Sequence, residues 1–116
     1  MTSKYKNKKT VVNGITFDSQ KEAERFKHLL LMQQAGEIIG LRLQPEFTLQ
    51  EAFTTARGER VRAIKYRADF AYNRIVKVGT EIRLEPVVED VKGYRTKDYE
   101  LKKKFLAGKG IEVTEI

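Results

Sequence analysis

A chain of 116 residues, 41% hydrophobic and 34% charged, has enough apolar material for one core and too little length for two, and its composition is that of a folded rather than a disordered protein. Twenty-three Lys and Arg against 16 Asp and Glu leave a net charge of +7, which points to a polyanionic partner, most simply nucleic acid. With no cysteine, disulfides and thiolate metal sites are excluded; the longest apolar cluster, Leu29 to Met32, is too short for a membrane span, and a cytoplasmic protein is expected.

Residues 1–10 carry Lys4, Lys6, Lys8 and Lys9 among small polar residues and read as a flexible basic arm, either a solvated tail or a DNA-contacting one. Residues 11–116 are expected to form a single domain. Within it, Asn13 and Gly14 between two short β-prone runs supply the two positive-φ positions of a type I′ hairpin turn. Asp18 and Ser19 then open a predicted helix over residues 19–35, closed by a glycine cap at Gly36. Its apolar stripe is Ala23, Phe26, Leu29 and Leu30, and Glu22 falls on that stripe. His28, the single histidine, belongs to the polar side and carries a surface role.

Residues 41–49 read as the first core strand, broken or bent at Gln44 and Pro45 because proline donates nothing to a ladder. A turn around residues 56–59 precedes a long second strand over 60–72. On it Ile64, Tyr66, Ala68, Phe70 and Tyr72 share one face, and Lys65, Arg67 and Asp69 the other. Residues 73–84 form an excursion turning at Gly79 and Thr80, and a third core strand covers 87–92 with Pro86 at its start. Thr96 caps a second predicted helix through about Ala107, with Tyr99, Leu101, Phe105 and Leu106 as its apolar members, and residues 111–116 alternate as a final strand. No helix here has the exposed apolar bulk among basic residues that an anionic membrane surface would call for. The fold class is α/β: a mixed central sheet flanked by helices, in the order α-β-β-β-α-β after an N-terminal hairpin.

The chemistry concentrates in Val87-Val88-Glu89-Asp90-Val91-Lys92-Gly93. Side chains in a strand repeat with period two, so Asp90 and Lys92 project from one face while Glu89 takes the other, where it is structural or solvent-facing. Asp69, near the end of the preceding strand, is a second acid able to converge on them. Two or three carboxylates on a sheet edge suit Mg²⁺ or Mn²⁺, which take carboxylate, water and phosphate oxygens. Such a metal activates a bound water, and a nearby lysine offsets the charge that develops on a scissile phosphate. Glu22 has two compatible readings: Ser19-Gln20-Lys21-Glu22 matches a capping box, and a first-turn glutamate can also face a neighbouring sheet. Lys65 and Arg67 beside Asp69, and Lys102 and Lys103 on the second helix, are candidate phosphate contacts; a solvated helix face is the competing reading of residues 102–104. Tyr99 could stack near a nucleotide, but its place on the apolar side favours core packing.

The combination of Glu22 on the first helix, Asp69 at a strand end and Asp90-Val91-Lys92 on the next strand resembles the PD-(D/E)XK nuclease superfamily. More narrowly, Gly14 to Ser19 leading into Glu22, the Gln44-Pro45 break, Tyr66 to Phe70 and Glu89 to Gly93 are similar to small phage-encoded Holliday-junction-resolvase-like endonucleases, over nearly the whole chain. Ala68 stands where the superfamily name has proline. The resemblance implies a restriction-endonuclease-like core. It implies a divalent-metal-dependent endodeoxyribonuclease that cuts branched DNA such as Holliday junctions in phage recombination or replication, within the host cytoplasm. Asp69 and Asp90 would be metal ligands, Glu22 a further ligand or water-positioning acid, and Lys92 the catalytic lysine. Symmetric cutting of two strands would make a homodimer the natural arrangement. The principal alternative is a non-catalytic nucleic-acid-binding recombination accessory protein on a nuclease scaffold. The weakest is a structural basic protein whose acids form surface salt bridges.

Overall fold

A computed structural model describes residues 8–91 and 96–116. Lys92, and residues 1–7 of the basic arm, lie outside the described residues. The fold is mixed α/β. In chain order the elements are β1 (Thr10–Val12), β2 (Ile15–Phe17), α1 (Gln20–Gln34), β3 (Ile38–Leu43), β4 (Glu46–Gln50), β5 (Phe53–Thr54), β6 (Arg60–Val61), β7 (Ile64–Arg67), β8 (Phe70–Val78), β9 (Glu81–Asp90), α2 (Lys97–Gly108) and β10 (Val113–Glu115). Seven strands separate the two described helices where three were expected. The chain divides into two compact units, Met1–Leu41 with Asn73–Glu85 and Arg42–Tyr72 with Pro86–Ile116.

The main sheet has four strands in the order β10-β9-β8-β3. β10 runs parallel to β9, with Val113 opposite Val88 and Glu115 opposite Asp90. β8 and β9 are joined by the two-residue turn at Gly79 and Thr80, a connection open only to antiparallel neighbours, so the sheet is mixed as expected. The excursion over 73–84 is therefore the tip of a long hairpin. Pro86 lies inside β9 rather than at its start.

In the first unit, β1 and β2 pair with Val12 opposite Ile15, and Asn13 and Gly14 have φ of 51° and 77°, the positive values a type I′ turn demands. The Ser19 hydroxyl accepts the Glu22 amide at 3.1 Å, which satisfies one of the otherwise orphaned donors of the first turn of α1. Ala23, Phe26 and Leu29 are buried, and the Phe26 ring lies 5.0 Å from that of Phe17. Gly36, at φ 77°, follows the helix C-cap as expected. β3 then starts at Ile38, ahead of the expected position, and Ile38 is buried.

In the second unit, β4 and β7 pair antiparallel, with Glu46 opposite Arg67 and Phe47 opposite Tyr66. Gln44, at φ 50°, turns the chain between β3 and β4, so the expected first strand becomes two strands of different sheets. The expected strand over 60–72 is likewise three strands. Tyr66 and Ala68 share a core cluster with Ala71, Leu49, Val88, Tyr99, Leu106 and Val113, so the alternation slips by one residue between β7 and β8. Strict period two would have put Ala71 on the opposite face.

On α2, Thr96 caps the helix by accepting the Tyr99 amide at 3.0 Å, and Tyr99 and Leu106 are buried. Leu101 and Phe105, expected in the core, are 55% and 49% exposed. Tyr99 and Leu106 are seven residues apart and form the buried line of the helix, and Leu101 and Phe105 fall off it. Exposed apolar bulk on a lysine-rich helix is thus present, contrary to the reading of the sequence.

Candidate functional site

Asp69 immediately precedes β8 and Asp90 ends β9, and these two strands are neighbours in the main sheet. The Asp69 amide donates to the Glu89 carbonyl at 3.1 Å, and the Asp69 Oδ2 accepts the Val91 amide at 2.7 Å. These two bonds, one from the backbone and one to the side chain, anchor Asp69 beside the end of β9, on the residues either side of Asp90. The Asp69 carbonyl accepts the Gln44 amide at 2.9 Å, and the Asp90 carbonyl accepts the Ile116 amide at 3.0 Å. Both acids therefore sit on backbone held from two sides, which fixes where their carboxylates start.

Asp90 is 2% exposed and Glu89 1%. Alternation along β9 puts Asp90 on the face of Val88, which packs in the cluster containing Tyr99 and Leu106. Glu89 turns the other way and accepts the Tyr72 hydroxyl. A solvent-facing Glu89 is excluded, and the structural role holds. A buried carboxylate is costly unless hydrogen-bonded, and Tyr72 supplies a donor.

Next to Asp90, the Tyr99 hydroxyl donates to Glu115 Oε2 at 2.9 Å, and Lys103 Nζ lies 3.4 Å from Glu115 Oε1. Burial is the largest influence on the Tyr99 phenol and pushes its pKa well above the ordinary value. The hydrogen bond to Glu115 and the negative charges of Glu115, Asp90 and Glu100 act in the same direction. The Tyr66 ring is 6.1 Å from the Tyr99 ring, and the Tyr66 hydroxyl is buried without a hydrogen-bond partner among the described residues.

Glu22 belongs to the first unit, where its amide completes the α1 cap; Asp69 and Asp90 belong to the second. Lys92 lies outside the described residues. Each of the four candidate phosphate contacts has a carboxylate close by. Lys65 is 3.4 Å and Arg67 3.8 Å from Glu46, Lys102 is 3.3 Å from Asp98, and Lys103 is held by Glu115. His28 is exposed beside Arg25.

Tyr72, Glu115 and Glu46 were not anticipated as partners. Glu115 had a visible signal, since β10 alternates and is short enough to end level with Asp90. Tyr72 and Glu46 had none, because their partners come from strands distant in sequence.

A family described as "Protein of unknown function (DUF1064)" matches residues 2–115. The chain belongs to the DUF1064 family. No curated protein and no solved structure significantly matches it. Among the described residues of this DUF1064 chain, no helix is long and apolar enough to cross a membrane, and no group of three or more His, Cys, Asp or Glu side chains is gathered to hold a metal. The candidate donor set is the Asp69 and Asp90 carboxylates. That set fits Mg²⁺, which binds through one or two carboxylates and completes its shell with water and substrate phosphate, and it does not fit Zn²⁺, which wants four tightly gathered ligands including nitrogen or sulfur.

Proposed function

We propose that this DUF1064 protein is a divalent-metal-dependent endonuclease with a restriction-endonuclease-like core, acting on DNA and preferentially on branched DNA. The observation that carries the reading is the anchoring of Asp69 to the backbone of Glu89 and Val91, the two neighbours of the buried Asp90. A divalent cation bound at these acids would interact favourably with a carboxylate that burial shields from water. The metal, when bound, would supply an activated water and charge neutralisation at the scissile phosphate. Asp69 and Asp90 would hold it, and the rigid backbone under both would keep the ligand geometry from relaxing. Lys92, two residues beyond Asp90, would stabilise charge on the reacting phosphate. For Glu22, a role as further ligand or water-positioning acid rests on the resemblance of the sequence motifs alone. The net charge of +7 supports a polyanionic substrate, and the preference for branches rests on the resemblance of the sequence motifs.

One observation favours a second reading. The Asp69 carboxylate already accepts the Val91 amide, a structural role that a non-catalytic DNA-binding descendant of a nuclease would keep. The two readings part in one experiment, with the wild type and Asp90→Asn incubated with labelled four-way junction, linear duplex and single-stranded DNA in Mg²⁺, Mn²⁺ or chelator. The nuclease reading expects cleavage in metal alone, reduced about 10²-fold or more in the variant while binding remains. Binding without cleavage in any metal, by folded protein, would sink it in favour of the accessory role.

A further inference from the structure

The side of α2 turned away from the core carries a pattern that the paired acids do not use. Lys97, Leu101, Lys104 and Gly108 are spaced four, three and four residues apart and so run along one line of the helix, opposite buried Tyr99 and Leu106, with Phe105 next to Leu101. Leu101 is 55% and Phe105 49% exposed. Lys102 and Lys103, on the flanks, are half-buried and held by Asp98 and Glu115. Lys97 and Lys104 are exposed and, among the described residues, have no carboxylate partner. The basic run on this helix is thus divided: two lysines are committed to the protein, and two are left beside an exposed aromatic ring.

We propose that this face of α2 binds single-stranded or unstacked DNA, with Phe105 stacking on an unpaired base, Leu101 packing beside it, and Lys97 and Lys104 meeting the flanking phosphates. An aromatic ring between cations is the arrangement that recognises unpaired nucleotides, because every base offers a stacking face and every linkage a charge. A fully paired duplex hides its bases and would offer only phosphates to this face. Exposed apolar side chains near a duplex end or branch also act as wedges between base steps. A membrane surface is the less favoured occupant, since two large apolar side chains on a 12-residue helix give little area to bury in a bilayer. The inference rests on the proposed function for the identity of the polyanion and deepens it, because the same face would give the nuclease its preference for branched over linear DNA.

The chain contains no tryptophan, so Phe105→Trp introduces a single fluorophore on this face. With the protein in chelator, where no cleavage occurs, the emission is expected to be quenched by a forked duplex bearing a single-stranded arm and to change little with a blunt duplex of equal length. Phe105→Ala should weaken binding to the fork roughly 5- to 100-fold while leaving blunt-duplex affinity nearly intact. Lys104→Ala should weaken both about equally and lower the salt slope by about 1. Equal loss on both DNAs in Phe105→Ala, or no quenching by the fork, would overturn the proposal. A blue shift with anionic vesicles but not DNA would replace it with a membrane contact, and a shift that grows with protein concentration alone would replace it with self-association. Because every arm reads binding without metal, absence of cleavage elsewhere tests the nuclease reading separately.

Discussion

Glu89 and Asp90 are adjacent, equally buried and chemically alike, and β-strand alternation sends them to opposite sides of the sheet. Glu89 meets the Tyr72 hydroxyl, so its burial is accounted for by the protein itself. Tyr72→Phe keeps the ring and removes the donor. It is expected to destabilise the fold by about 1–3 kcal/mol, measured by urea denaturation, without altering metal dependence. Tyr99 makes a pH prediction of its own. Burial and its acidic neighbours raise the phenol above the ordinary value of about 10, so the folded protein favours the neutral form. That contribution is complete below the unfolded pKa and is lost as pH rises above it towards the higher folded value. The urea midpoint of the wild type should therefore fall between about pH 9 and 12, and that of Tyr99→Phe should fall less; parallel curves would remove Tyr99 from the account.

At the level of elements, the features legible in the sequence are those whose physics is local. The Asn13 and Gly14 turn, the Ser19 and Thr96 caps and the Gly36 stop each depend on a few consecutive residues, and each occurs where expected. Thr96→Ala is expected to cost about 1 kcal/mol through loss of the Tyr99 amide partner, and Thr96→Ser to restore most of it, as read by thermal and urea melts. What could not be read depends on distant partners. The slip of alternation between Ala68 and Ala71 is set by the packing of Ala71 with Tyr66, Val88 and Leu106, and nothing in residues 60–72 announces it. Leu101 and Phe105 were misassigned for a related reason: apolar spacing marks a face of a helix, and tertiary packing chooses how much of it is covered. For the candidate site, Asp69 stood out in the sequence as the single acid near the end of its apolar run and Asp90 by its spacing from Lys92; that Asp69 hydrogen-bonds the Val91 amide was not legible, because the bond joins residues 22 apart in sequence.

For the molecule as a whole, the surplus of positive charge predicts binding to a polyanion, but the amount available depends on how much of it is internally committed. Lys65 and Arg67 share a single carboxylate, Glu46, across the β4 and β7 pair, at 3.4 and 3.8 Å. All three side chains are roughly half-exposed or more, so these pairs contribute little to stability, within about 0.5 kcal/mol. Their consequence lies in binding: a phosphate approaching Lys65 and Arg67 must displace Glu46 or suffer its repulsion. Neutralising that carboxylate should therefore increase affinity for DNA without unfolding the protein. Glu46→Gln is expected to leave the urea midpoint nearly unchanged and to tighten binding to duplex and branched DNA several-fold at low salt. The plot of log affinity against log salt should steepen by up to about 2, since each newly engaged phosphate contributes close to one counterion. Fluorescence anisotropy across a salt series reads both quantities at once. An unchanged slope and affinity would mean that the β4 and β7 face does not meet DNA, and would leave α2 as the surface that accounts for the basic character of the chain.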